Sequence, residues 1–166
     1  MASRLRLVAL LALVVSLAGL TACSSTNGPE NHVTLEEAKQ SALATELEIA
    51  GLVPAANTVS VDQRKTSSTL FECTGGYTWP GRTTVELTGE VDTTALADSI
   101  AAHWKAKDGW AAGIDKTEAG LPRVDIQGPG GAEYLVSVQN GGTELRISSR
   151  SECFELPGGK KPGENY

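Results

Sequence analysis

The chain has 166 residues, with 14 Lys+Arg against 20 Asp+Glu and a formal charge of −6. That length suits one domain plus extensions, and the acidic balance excludes the broad cationic footprint that DNA or RNA binding needs, so no nucleic-acid partner is expected. Two histidines, His32 and His103, and three cysteines leave little for a metal centre or a nucleophilic triad.

Met1–Ala22 has the layout of a secretory signal peptide. Arg4 and Arg6 form a short positive region, Leu7–Leu20 (LVALLALVVSLAGL) is almost unbroken apolar sequence, and small residues close it. From Leu7 to Ala22 there are 16 residues, short of the roughly 20 that a membrane-spanning helix requires. Polar Ser24-Ser25-Thr26-Asn27-Gly28-Pro29 follows at once.

Leu20-Thr21-Ala22-Cys23 resembles the lipobox of bacterial lipoproteins. The resemblance implies diacylglycerol on Cys23, cleavage before it, and a mature protein that starts there. Two or three acyl chains on one residue make a stable anchor, since each buried methylene contributes about 0.8 kcal/mol. Loss of Arg4 and Arg6 leaves 12 Lys+Arg against 20 acids, a charge of −8. A domain that acidic stands off an anionic lipid surface. Ser24–His32 (SSTNGPENH) reads as a flexible tether, with an r.m.s. reach of roughly 15–18 Å.

The folded part is expected from Val33 to Leu156. Thr34-Leu35-Glu36-Glu37 is a capping box, with Thr34 as N-cap. It predicts a first helix to about Ala50, with Leu35, Ala38, Ala42, Leu43, Leu47 and Ala50 on one stripe. Gly51 is the expected left-handed terminator and Pro54 a stop. A second helix starts at Asp92, with Val91 and Leu96 as a staple. Leu96, Ala97, Ile100, Ala101 and Trp104 form its apolar face, and Gly109 and Trp110 its end. Strict alternation marks strands at Thr84–Thr88, Val124–Ile126, Tyr134–Val138 and Glu144–Ser148; weaker ones fall at Val59–Arg64, Thr69–Cys73 and Trp110–Thr117. Asn140-Gly141-Gly142 is a hairpin turn, and Gly128-Pro129-Gly130-Gly131 is a turn rather than a phosphate loop. The order of elements predicts an α+β fold, an antiparallel sheet with two main helices packed on one face. The organisation is then 1–22 signal peptide, 23–32 tether, 33–156 α+β domain and 157–166 (PGGKKPGENY) a disordered tail.

With Cys23 lipidated, Cys73 and Cys153 remain, and an oxidising compartment makes one disulfide the default. Neither sits in a C-x-x-C motif, so a redox-active role has little support. Tyr77, Trp79 and Arg82 are candidate ligand-binding residues, an aromatic pair beside a guanidinium among glycines. Tyr77 and Trp79 share odd parity with Val85 and Leu87, however, so one long strand would turn all four toward an apolar core. His103 has no second ligand at metal spacing, and no cofactor is indicated.

Several features together resemble small lipoproteins of high-GC Gram-positive (actinobacterial) bacteria, of the LppA kind. They are L-T-A-C at 20–23, the early helix, Phe71-Glu72-Cys73, V-E-L-T-G-E at 85–90, the Trp104…Asp108-Gly109-Trp110 ending, the closing hairpin and Ser151-Glu152-Cys153. The resemblance covers about residues 20–155 and implies a location and a fold more than an activity. The expectation is a non-enzymatic, lipid-anchored binding or interaction module on the outer face of the cell membrane. Its expected partners are an envelope protein or a cell-wall component. The alternatives are a carrier for a lipid or cell-wall fragment, which needs a large apolar pocket, and a carboxylate-dependent hydrolase, which needs two carboxyls facing one cleft.

Overall fold

The computed structural model describes residues 33–161 and 164–166. Cys23, the expected signal peptide (1–22) and the expected tether (23–32) lie outside the described residues. No helix among those described is long and apolar enough to cross a membrane.

Helix α1 (Leu35–Ala50) starts as the capping box dictates: the Glu37 amide donates to Thr34 Oγ1 at 3.3 Å and the Thr34 amide to Glu37 Oε2 at 3.0 Å. Its buried face is Ala38, Ala42, Leu43, Thr45, Glu46, Ile49 and Ala50. Leu47, expected on the apolar stripe, is 47% exposed. One residue turns a helix by about 100°, so seating Glu46 against the sheet swings Leu47 away. Gly51 is not left-handed either. At φ −66° the chain continues right-handed for another turn, with the Leu52 and Val53 amides donating to Ile49 and Ala50 carbonyls.

Helix α2 (Thr93–Lys105) starts on Asp92, whose Oδ1 accepts from the Thr94 and Ala95 amides at 3.0 Å each. Leu96, Ala97, Ile100, Ala101 and Trp104 are all buried, as their spacing predicts. Burying the larger of these contributes about 1.5–3 kcal/mol each. The helix stops at Lys105, before Gly109, which has the expected positive φ of 79°. Trp110 then folds back onto Trp104 with ring centroids 4.3 Å apart.

The strands are β1 (Thr58–Arg64), β2 (Phe71–Cys73), β3 (Gly76–Thr78), β4 (Pro80–Leu87), β5 (Ala111–Lys116), β6 (Pro122–Gln127), β7 (Glu133–Gln139) and β8 (Glu144–Arg150). Six form one antiparallel sheet in the order β1-β4-β8-β7-β6-β5, and β2–β3 is a separate small hairpin. The α2 crossover carries the chain to the far edge, and the β5–β8 meander brings it back until β8 pairs with β4. Both helices pack on one face, α1 over β4 and β8 and α2 over β5 and β6. Strand alternation sends Val85, Leu87, Val124, Ile126, Tyr134, Val136, Val138, Leu145 and Ile147 into that layer. Glu48 of α1 accepts from His103 at 2.7 Å and from Lys107, tying the helices together; the Lys107 bond leads in holding its carboxyl below the usual range.

A second apolar cluster gathers Ala38, Ala42, Leu43, Leu70, Trp79, Phe154 and Tyr166. Here the structure departs from the expected disordered tail. Tyr166 is 7% exposed, its backbone pairs both ways with Ser67 at 2.8 Å, and its carbonyl accepts from Trp79 Nε1 at 3.1 Å. The Pro/Gly/Lys composition of 157–166 concealed an aromatic plug that satisfies a buried indole N–H. The Cys73–Cys153 disulfide joins the end of β2 to the segment after β8.

Candidate functional site

The alternation that fills the core also builds the opposite face of the sheet. Both helices pack on the other face. At the β1–β4–β8–β7 end, register brings together residues that are distant in sequence: Arg64 lies opposite Arg82, Arg82 opposite Ser148, Pro80 opposite Arg150, and Arg150 opposite Glu133. A groove of about 710 Å³ opens there. Its floor carries Leu135, Ser148 and Arg150. The Thr66-Ser67-Ser68-Thr69 connection, Phe71 and Asn165 form its rim. The rim is fastened by the Ser67–Tyr166 backbone pair and by Ser67 Oγ, which donates to the Thr69 carbonyl at 2.9 Å.

Three guanidiniums converge on this groove, against one carboxylate, Glu133. Arg150 spans Glu133 (3.9 Å) and the Phe71 ring (4.9 Å to the centroid). Among the described residues Arg64 donates only a long 3.4 Å bond to the Pro80 carbonyl. Arg82 has no hydrogen-bond or ion-pair partner among the described residues. Like charges directly opposite across an antiparallel pair are destabilising, so the Arg64–Arg82 pairing works against the fold unless something anionic answers it. Guanidiniums are suited to that role, because their planar fork matches carboxylate and phosphate oxygens bidentately. Phe71 and Leu135 remain 42% and 41% exposed beside them, offering an apolar surface for the body of a ligand.

Beneath the same strands, on the helix face, Glu46 is fully buried. It accepts from Thr83 Oγ1 at 2.7 Å, Gln63 Nε2 at 3.2 Å and Ser149 Oγ. Burial pushes its pKa up, against the lowering effect of the Ser149, Thr83 and Gln63 bonds and of the Arg64 charge.

The structure separates the three candidate ligand-binding residues. Trp79 is fully buried in the second cluster. Tyr77 is half-buried in β3; its backbone bonds Phe154 both ways at 2.9 Å, and Lys160 Nζ lies 5.2 Å from its ring centroid. The expected single strand breaks at Trp79, where the chain leaves the small hairpin for β4, but the parity holds for Trp79, Val85 and Leu87, all buried. Arg82 alone reaches the groove. Arg64, Arg150, Phe71 and Glu46 were missed. The available signal was parity: Arg82 and Arg150 sit out of phase with the buried positions of their strands, but nothing local pairs those strands. Among the described residues no group of three or more His, Cys, Asp or Glu side chains is placed to hold a metal ion. Comparison with family models, curated proteins and solved structures finds no match.

Proposed function

We propose that the protein is a lipid-anchored, non-catalytic binding module on the outer face of the cell membrane. Its open sheet face takes an oxyanion, a phosphoryl or carboxyl group on a small molecule or envelope component, between Arg64, Arg82 and Arg150. One observation carries this reading: three arginines in an acidic chain share one groove, two face each other across β1 and β4, and Arg82 has no partner among the described residues. The acidic remainder of the surface repels extended polyanions at long range, while the groove rewards a compact anion at contact. The favoured ligand is therefore small or carried on a neutral body. Among the described residues the gap between α2 and the sheet is about 10 Å³, at the limit for one water, so that gap does not favour a carrier's cargo.

The test is a titration of the full chain in detergent micelles with inorganic pyrophosphate and with phenyl phosphate, followed by NMR of the arginine side chains. Saturable shifts at Arg64, Arg82 and Arg150 are expected, with Arg82→Ala weakening binding at least about tenfold, as loss of a charge-assisted contact does. No saturable shift with either probe removes the anion reading. The anchor is tested separately: Cys23→Ser should move the protein from the membrane to the soluble fraction, and an unchanged membrane fraction removes it.

A further inference from the structure

The three donors to Glu46 are each the chain neighbour of one groove arginine: Gln63 precedes Arg64, Thr83 follows Arg82, and Ser149 precedes Arg150. Successive side chains of a strand point to opposite faces. Each donor therefore reaches down to Glu46 while its neighbouring arginine emerges on the groove side. One carboxylate thus pins β1, β4 and β8 together at the level from which all three guanidiniums project. The approach of α1 is close enough to require a glycine beside it: a Cβ on Gly81 would lie 2.1 Å from Glu46 Oε1 and 2.4 Å from Ser149 Oγ.

A carboxylate is a costly choice for this place. A charge taken out of water needs compensation, and the three donors are all neutral side chains. Among charged and titratable groups, β1 supplies Arg64 and β7 supplies Tyr134, whose phenol burial pushes up to about 12. On the helix face β4 and β8 present Gly81, Thr83, Val85 and Ser149, their arginines lying on the other side. The positive charge nearest to balancing Glu46 is therefore that of the groove itself.

Taking the groove as an anion site, as above, we propose that Glu46 is its positioning residue and couples occupancy of the groove to uptake of a proton. With the groove empty, the Arg64 charge favours the carboxylate form. A bound anion offsets that charge and faces Glu46 across the thickness of one sheet, so the carboxylate becomes less favourable and a proton is taken up. Linkage is reciprocal: acid that protonates Glu46 strengthens anion binding by the same factor.

Sulfate is the probe, because it stays a dianion throughout the range. Its affinity for the full chain, measured calorimetrically, should tighten about three- to tenfold from about pH 8 to about pH 5, the size expected for one charge removed roughly a sheet's thickness away. Glu46→Gln should flatten that slope. Glu133→Gln, which removes the one carboxylate that lines the groove among the described residues, should keep it. The carboxyl carbon of Glu46, titrated by NMR in the wild-type chain, should show a higher pKa with sulfate than without. That measurement needs no variant and stands if Glu46→Gln fails to fold. A residue that only held the strands together would not move its pKa with sulfate. Sulfate binding with a flat pH profile, or a Glu46 titration indifferent to sulfate, overturns the coupling and leaves the anion site standing. No sulfate binding at any pH overturns both.

Discussion

Reducing the Cys73–Cys153 bridge, or replacing both cysteines by alanine, tests how the second cluster is held. The bridge closes a loop of 80 positions, for which the chain-entropy relation gives about 4.5 kcal/mol as an upper figure against a usual 2–4 kcal/mol. The elements it joins are also held by the Tyr77–Phe154 backbone pair and by a Cys153 amide bond to Gly130, which places the expected loss inside the usual range. A domain of this size melts with an entropy of about 0.28 kcal/mol/K, so the melting temperature should fall by roughly 7–15 °C. Calorimetry with and without reductant reads this directly. Hydrogen exchange should locate the first opening in β2, β3 and the 151–156 segment, with the β5–β8 meander still protected. A melting point unchanged within about 2 °C would refute the reasoning, because it would mean the unfolded chain gains no freedom from losing the cross-link.

Tyr166→Ala removes a ring that closes the second cluster and disturbs the carbonyl that accepts from the Trp79 indole. A loss of about 2–4 kcal/mol in chemical denaturation is expected, as for large-to-small changes in a core, and a change under about 0.5 kcal/mol would show the plug to be dispensable. Gly81→Ala puts a Cβ within 2.1 Å of Glu46 Oε1 and 2.7 Å of Trp79 Cζ3; overpacking of this kind costs about 1–3 kcal/mol, measurable as a lower denaturation midpoint at unchanged slope. Because the folded state raises the Glu46 pKa above its ordinary value, it binds that proton more tightly than the unfolded chain does. Stability should therefore decline as pH rises from the ordinary carboxylate value through the raised one. Glu46→Gln should remove that part of the decline in a stability–pH series, and parallel curves for the two proteins would contradict it.

Much of the fold was legible because the signals were local. Thr34 and Glu37 lie three residues apart, Asp92 meets amides two and three residues on, and Trp110 needs only a left-handed Gly109 to reach Trp104. Strand alternation likewise needs no partner to be read. Glu46 shows where this stops. A carboxylate in an amphipathic helix reads as outward-facing, and it faces inward here because its donors come from strands 17, 37 and 103 residues away. Leu47 gives up the buried position for the same reason. The tail was misread on composition: glycine, proline and lysine say how a segment behaves when nothing holds it, and Tyr166 is held by Ser67 and Trp79.

The groove exposes a further asymmetry between adjacency in sequence and adjacency in space. Tyr77, Trp79 and Arg82 suggested a site because they are close along the chain, yet Trp79, just before β4, turns into the core while Arg82, within β4, turns into the groove. Arg82's real neighbours, Arg64 and Arg150, arrive from β1 and β8 through a strand order that only the whole chain determines. Net charge misleads in a similar way. A formal −6 averaged over the molecule conceals three guanidiniums that, among the described residues, face a single carboxylate in one groove, and the average sets how ligands approach while the cluster sets what is held on contact. Raising the ionic strength should have two opposed effects. It should relieve the long-range repulsion and speed association, while weakening the contact pairs and speeding release more strongly, so that the association rate and the dissociation constant for a small anion both rise with salt.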